Sequence, residues 1–260
     1  MSPKPYDFAL IIPAYNEENY LPDTLKAVQI SLKALPQKKG LIVVIDNDSD
    51  DQTCQVAQSF PEVTLLHEKT RQISAVRNKG GFFASDKTDK LIFLDADTLL
   101  NSKVLEESLK ALDDSKIIGG GALLTMSTKR LLGKFIICFW TLLSKTFSWA
   151  PGSYTFCRSK DFLAINGFST DLYAAEDVDF SHRLKKIDKS KKYIVIPQSL
   201  ETSSRKLEWY SSFQLLSHLL PIAINPRRLK HQQKLDLWYK RPESTKPPSA
   251  SSQKTKKPDR

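Results

Sequence analysis

The chain has 260 residues, 40% of them hydrophobic, with 39 basic against 29 acidic side chains and a formal net charge of +10 at pH 7. Such a length and apolar share build a globular unit with a full core, and three widely spaced cysteines without a C-x-x-C exclude a disulfide framework. The positive balance suits an anionic ligand or an anionic membrane surface, but no aromatic RNA-binding motif or zinc-finger spacing accompanies it, so no nucleic acid is expected as a partner.

Met1 to Asp7 lacks the apolar core of a signal peptide and leads straight into a buried-type strand, Phe8 to Pro13. Leu21, Leu25, Val28, Leu32 and Leu35 then recur on one face and predict a helix. Pro22 suits its first turn and Pro36 its end. Leu41 to Ile45 is a second apolar strand, followed by the polar turn from Asp46 to Asp51, in which Asp50 and Asp51 are expected as helix caps. A helix over Thr53 to Phe60, a strand over Val63 to Leu66, a helix over Ile73 to Ala84 and a strand over Leu91 to Leu94 continue the alternation. Strands alternating with helices predict a mainly parallel sheet covered on both faces.

After Leu112 the rhythm changes. Ile117 to Met126, with Gly119-Gly120-Gly121, reads as a strand closely approached by another backbone. Leu131 to Phe147 reads as an amphipathic helix that either packs internally or docks on a membrane surface with Lys129, Arg130, Lys134 and Lys145. It is a poor spanning helix, because lysines interrupt it. Short helices are expected over Asp161 to Ile165 and Val178 to Lys186, a strand from Tyr193 to Ile196 that stops at Pro197, and a helix from Leu207 to Leu220. From Arg241 to Arg260, prolines stand among serines and lysines, a composition that is expected to stay disordered. Cys54, Cys138 and Cys157 read as small core residues.

Asp95-Ala96-Asp97 is the most informative local pattern. Residues i and i+2 of a strand share a face, so both carboxylates leave the strand end together, at the edge where α/β sheets bind ligands. Two hard oxygen donors there suit Mg2+ or Mn2+ with a diphosphate completing the shell. Acidic pairs also follow strands as helix caps and turns, and the triplet alone leaves both readings open.

The wider context is a series: Ile11-Ile12-Pro13-Ala14-Tyr15-Asn16-Glu17-Glu18, Val44-Ile45-Asp46-Asn47-Asp48-Ser49-Asp50-Asp51, Ala75-Val76-Arg77-Asn78-Lys79-Gly80 and Phe93-Leu94-Asp95-Ala96-Asp97. Asn166-Gly167-Phe168 and Glu176-Asp177-Val178-Asp179-Phe180 follow in the second half. Over roughly residues 6 to 200 this order resembles the family-2 glycosyltransferases, whose nucleotide-sugar-binding fold is called GT-A. The resemblance implies an α/β fold with a Rossmann-like, mainly parallel sheet, helices on both faces and a smaller acceptor-side mixed sheet. It implies one catalytic domain over residues 6–240, with a nucleotide-sugar-binding half at 6–115 and an acceptor-side half at 116–240, ahead of a basic tail at 241–260.

The resemblance also implies roles. Pro13, Ala14 and Tyr15 would border the nucleotide base, Glu17 would approach base or ribose, and Asp46 would accept from the base. Asp48 replaces a glycine common in the family, and aspartate tolerates the left-handed geometry such a turn needs. Arg77 would lie near the diphosphate, with Arg71 a weaker candidate of the same kind. Asp97 would bind Mg2+ or Mn2+, and Asp95 the ribose or, through water, the metal. Asp177, beside Glu176, would be the general base, and Arg183 would pair with a carboxylate. Many relatives add a histidine ligand late in the domain; Gln198 to Lys206 contains none, while His182, His218 and His231 lie elsewhere.

The expected activity is therefore sugar transfer from a nucleotide-diphosphate sugar donor to a carbohydrate or lipid-linked acceptor hydroxyl, inverting and metal-dependent. The alternatives are a polyprenyl-phosphate glycosyl synthase and a non-catalytic nucleotide-sugar-binding protein. A cytoplasmic location is expected, with peripheral attachment to the inner face of a membrane as an extension of it.

Overall fold

The computed structural model describes residues 3–126 and 152–205, with residues 209, 213, 214, 217 and 229–235. The expected helix from Leu131 to Phe147, most of that from Leu207 to Leu220, Trp149 and the basic tail lie outside the described residues.

Alternation of apolar residues sets the layers. Strand β1 (Phe8–Ala14) is buried along its whole length, as is nearly all of β2 (Gly40–Asp46) and β4 (Lys90–Leu94). Phe8, Leu10, Ile12, Ile42, Val44, Ile92 and Leu94 face one core, shared with Leu21, Leu25 and Val28 of α1 (Leu21–Lys33) and with Val104, Leu105 and Leu109 of α4 (Ser102–Asp113). Their odd-numbered neighbours Ile11, Val43, Ile45 and Phe93 face a second core, built with Val76 and Ala84 of α3 (Ile73–Ser85) and a phenylalanine cluster. Strands that are apolar on both faces require cover on both, which is why the helices divide between the two sides.

The remaining elements are α2 (Thr53–Gln58), β3 (Val63–His67), β5 (Thr98–Leu99), β6 (Ile117–Thr125), β7 (Tyr154–Arg158), α5 (Ser159–Ala164), α6 (Glu176–Ile187) and β8 (Lys192–Thr202). Among the described residues the strands form one sheet in the order β3-β2-β1-β4-β7-β6-β8-β5. The first four strands in that order are parallel, β7 is antiparallel to β4 and to β6, and β6 and β8 are parallel. The fold class is the expected one. The acceptor-side strands do not form a smaller separate sheet, however; β7 hydrogen-bonds to β4 and carries the sheet across.

Two local differences have physical causes. Strand β8 does not stop at Pro197 but runs to Thr202, because the register slips between Ala122 and Leu123: their partners are Ile196 and Ser199. Pro197 and Gln198 sit in that bulge, where the missing proline N–H costs no ladder bond. The glycines of β6 make the expected close approach: a Cβ on Gly120 would stand 2.4 Å from the Ile194 carbonyl. Asp48 does adopt a left-handed backbone, with φ 62°. Among the described residues no helix is long and apolar enough to cross a membrane.

Candidate active site

The C-terminal ends of β1, β2, β3 and β4 share one edge of the sheet because those strands run parallel. Pro13 and Ala14 end β1 and stand opposite Ile45 and Asp46. The Asn47 N–H donates to the Ala14 carbonyl (2.8 Å), and its side-chain amide donates to the carbonyls of Glu68 and Thr70 (2.6 and 2.9 Å). These bonds lash the turns after β1, β2 and β3 into one rim. Tyr15 on that rim carries the Arg71 guanidinium over its ring at 3.9 Å. Asp51 accepts from the Thr53 N–H (2.9 Å) at the start of α2 and from the Glu18 N–H (3.2 Å), in keeping with the expected cap. Asp50 accepts from Asn16 rather than from α2.

Asp46 is buried, and one of its oxygens, Oδ1, accepts no hydrogen bond among the described residues. The other accepts weakly from the Ser49 N–H (3.3 Å) and lies 3.5 Å from His67 Nδ1. Cys54, in the first turn of α2, is half-buried rather than a core residue. Burial, the Asp46 charge and a hydrogen bond from the thiol to Asp46, with a smaller contribution from the Asp51 charge, raise its pKa to about 11.

The turn after β4 delivers Asp95 and Asp97 to two different cations. Asp95 Oδ1 accepts from Arg77 Nη2 at 2.8 Å. Arg77 also donates to Glu176 Oε1 (2.7 Å) and to the Gly152 carbonyl (2.8 Å). Burial would lower the Arg77 pKa, but Asp95, Glu176 and Asp177 outweigh it and raise it, so the guanidinium is a permanent cation among three carboxylates. Asn78, the next residue, exchanges hydrogen bonds with the Phe168 backbone (2.7 and 2.8 Å). Phe168 stacks on Phe180, ring centroids 4.0 Å apart, and the Arg77 guanidinium lies over the Phe168 ring at 5.3 Å. The Asn166-Gly167-Phe168 segment is thus the floor beneath Arg77, and the left-handed Asn166 and Gly167 turn the chain into it.

Asp177 and Glu176 open α6 after Ala175, which is left-handed at φ 57°. The helix N-terminus favours negative charge, and Arg77 supplies more positive potential. Burial nevertheless dominates at Asp177; with help from Glu176 it pushes that carboxyl up to about 7, against the pull of Arg77. Asp179 is the ordinary member of the group and pairs with Arg183 at 2.6 Å, as expected. Gly152 backs Asp177 closely: a Cβ there would stand 2.9 Å from Asp177 Oδ2. Gly152→Ala is therefore expected to displace the carboxylate. A shift of about 1 Å in a reacting group can cost on the order of a hundredfold in turnover. If Asp177 is the general base the resemblance implies, steady-state kinetics of Gly152→Ala should show a loss in kcat with the donor KM little changed.

Asp97 belongs to a second network. Arg205 donates through both terminal nitrogens to the two oxygens of Glu17 at 2.5 Å, and its Nη2 lies 3.1 Å from Asp97 Oδ2. Burial lowers the Arg205 pKa, and Glu17 and Asp97 more than restore it. Thr202 and Ser203 at the end of β8 bind the Asp97 carbonyl, which fixes the turn. Asp97 and Arg205 line a cleft of about 300 Å3 together with Tyr20, Thr24, Glu201 and Thr202.

Arg205 was not foreseen from the sequence. It stands 188 residues from Glu17, in a segment without periodicity where only a histidine was sought. The structure brings Arg77, Asp95, Glu176 and Asp177 into one cluster and Glu17, Asp97 and Arg205 into another, while Asp46 stands apart beside Cys54 and His67.

Comparison with known proteins bears on the family and the fold. Residues 9–132 match the family model described as glycosyl transferase family 2. Poly(ribitol-phosphate) beta-N-acetylglucosaminyltransferase TarS of Staphylococcus aureus is 25% identical over 114 residues, 41% of this chain and 19% of TarS. Mouse dolichyl-phosphate beta-glucosyltransferase is 30% identical over 117 residues, 41% of this chain and 36% of that protein. The matches therefore span well under half the length of these curated relatives. In three dimensions, TarS 1-349 in complex with UDP-GlcNAc covers 89% of the chain, and 70% of its own is covered, with TM-score 0.60 and 18% identity. The mannosyltransferase PcManGT of Pyrobaculum calidifontis, in complex with GDP-Man and Mn2+, covers 91% of the chain, and 72% of its own is covered, with TM-score 0.62 and 18% identity. At that identity the likeness carries the fold.

Proposed function

We propose, since residues 9–132 match glycosyl transferase family 2, that the chain is a member of that family and transfers a sugar from a nucleoside-diphosphate donor to an acceptor hydroxyl with inversion, over a catalytic unit of residues 6–240. The observation that carries this reading is the charge cluster at the edge where a donor would lie: Arg77 bonds to Asp95 and to Glu176, and Asp177 beside them, half-buried, has its pKa pushed up to about 7, mainly by burial. A base poised near the working pH combines a usable deprotonated fraction with real driving force.

The donor's base rests on Pro13, Ala14 and Tyr15, and Asp46 accepts from it. Asp46 Oδ1, buried and without a donor of its own, suits that task. Asp95 faces the ribose, and Glu17 with Arg205 faces the ribose and diphosphate side. Arg77 makes three bonds to the protein; its role here is to hold Asp95 and Glu176 and to keep the site positive against an incoming diphosphate. Asp177 takes the proton from the acceptor oxygen as that oxygen forms its bond to the anomeric carbon. The bond to the nucleoside diphosphate breaks on the opposite face.

A divalent cation, Mg2+ or Mn2+, fits beside Asp97: its donor is a hard carboxylate that opens on the cleft, close to Glu201 and to the hydroxyls of Thr202 and Ser203. When bound, the cation offsets charge on the departing diphosphate as a Lewis acid. Asp97 would give up its Arg205 contact for it, releasing the guanidinium toward the phosphates. The direct test is donor binding by calorimetry, with UDP-GlcNAc and GDP-mannose as probes, with Mn2+ and in chelator. Asp97→Ala is expected to abolish the metal-dependent part of donor affinity while the fold, followed by circular dichroism, persists. Equal affinity in metal and chelator for both proteins would refute the metal assignment.

One observation favours a second acceptor class. The likeness to dolichyl-phosphate beta-glucosyltransferase, with the net charge of +10, supports a lipid-phosphate acceptor at a membrane surface. A phosphate nucleophile needs no base, so transfer that survives substitution of Asp177 would select this reading.

A further inference from the structure

We propose that Asp46, Cys54 and His67 form a binding site for a borderline-soft divalent cation of the zinc class, at the rim where the donor's base would sit. The three side chains come from the end of β2, the first turn of α2 and the end of β3. One ligand atom from each, a carboxylate oxygen, a thiol sulfur and an imidazole nitrogen, lies within 4.8 Å of the other two. It is the one such trio among the described residues. Asp46 and His67 are register partners on adjacent parallel strands, so the sheet itself holds them opposite each other. Their separation, 3.5 Å from Asp46 Oδ2 to His67 Nδ1, matches the edge of a tetrahedron around zinc. With metal–ligand bonds of about 2.0–2.3 Å, neighbouring ligands stand roughly 3.3–3.7 Å apart. Cys54 has to close by at most about 1 Å from the 4.8 Å limit to reach that spacing.

A second observation points to a ligand. Asp46 is 2% exposed, yet its Oδ1 has no hydrogen-bond partner among the described residues. A buried orphan acceptor is costly unless something occupies it. A cation held by both carboxylate oxygens would satisfy Oδ1 and still lie beside Oδ2, the oxygen that faces His67. His67, 62% exposed at its side chain, gives the ion a path from solvent.

The donor set selects the metal class. One thiolate, one imidazole and one carboxylate with a fourth position for water favour zinc over Mg2+ or Ca2+, which prefer all-oxygen shells. Binding exchanges the Cys54 thiol proton for the metal and releases it to solvent; the imidazole binds as the neutral base.

The site shares Asp46 with the proposed base contact. Zinc occupancy withdraws that carboxylate from the donor, so zinc and nucleotide exclude one another. This consequence rests on the glycosyltransferase reading; the metal site does not.

The test uses the full chain, freed of metal, titrated with Co2+ alone as a spectroscopic stand-in for zinc. A thiolate-to-cobalt charge-transfer band should grow in the near ultraviolet and saturate at one equivalent bound to this site, and Zn2+ should then bleach it. Cys54→Ser should abolish the band. His67→Ala should weaken binding by more than the roughly 10–100-fold typical of outer-shell losses. Cys157→Ser should leave both band and affinity intact. Absence of a band in the wild type, or its survival in Cys54→Ser, overturns the site. No nucleotide is present in this arm, so its outcome is independent of the reading under Proposed function. A second arm measures UDP-GlcNAc affinity with zinc about a hundredfold above its dissociation constant. Mutually exclusive binding weakens the nucleotide by about a hundredfold there, and Cys54→Ser relieves the effect. Equal affinity with and without zinc overturns the competition.

Discussion

Asp177→Asn is expected to slow sugar transfer by roughly a hundredfold or more, the usual contribution of a general base, while donor affinity stays close to that of the wild type. Asparagine keeps the shape of the side chain and its place at the start of α6 but cannot take the acceptor proton. The wild-type rate should climb with pH and level off above about 7, where Asp177 is deprotonated. That limb should vanish in the variant. Stability moves the opposite way. A carboxyl whose folded pKa lies above its unfolded value of 3.8 binds the proton more tightly when folded. The stability this contributes is complete below pH 3.8 and is lost as pH rises to about 7. Asp177→Asn removes that loss, so at pH 8 it should resist denaturant at least as well as the wild type, and better relative to it than at pH 5. Calorimetry, acceptor turnover and urea unfolding at the two pH values check all three statements. If Asp177→Asn turns over normally and Glu176→Gln does not, the base is Glu176; if neither matters, a phosphate acceptor is favoured.

Arg77→Met should be the most destabilising single change in the site, by about 3–5 kcal/mol, the cost of removing one partner from a buried ion pair. The guanidinium is 3% exposed and touches Asp95, Glu176 and the Gly152 carbonyl. Methionine fills much of the space above Phe168 but leaves three carboxylates facing one another without a cation. Asp177, relieved of the Arg77 pull, should titrate higher still, which moves the acid limb of the rate profile upward in whatever protein remains folded. Arg77→Lys is not expected to rescue the loss, because an ammonium on a flexible stem cannot serve three acceptors in a fixed planar fork. Urea unfolding followed by circular dichroism measures the effect. A loss under 1 kcal/mol would mean that water, and not Arg77, neutralises the cluster.

Much of the fold was legible locally. The continuous apolar runs in Phe8–Ala14 and Gly40–Asp46 and the spacing of Leu21, Leu25 and Val28 specify strands with two apolar faces and a helix with one. Parallel order then brings Pro13, Asp46 and Asp95 to a single edge, because each stands at the C-terminal end of a strand of the same direction. The acidic pairs at Asp95-Ala96-Asp97 and Glu176-Asp177 were recognisable for the same reason: a strand end and a helix start are local events, and the residue types suited to them are few.

The partners of those carboxylates were not legible. Arg77 reaches residues 75 and 99 positions away, and Arg205 reaches Glu17 across 188. Which cation meets which anion depends on how loops of different length fold back, and no periodicity encodes that. Pro197 read as a strand end, because its effect depends on whether the neighbouring strand carries a bulge opposite it. Cys54 read as core filling and His67 was passed over, since a metal-ligand spacing is visible in a sequence only when one segment supplies several ligands. Local composition, acting over one or two turns, determined the elements and the edge where chemistry gathers. Long-range packing decided which charges are buried together, and burial among particular neighbours is what raises Asp177 to about 7 and leaves Asp46 Oδ1 without a donor.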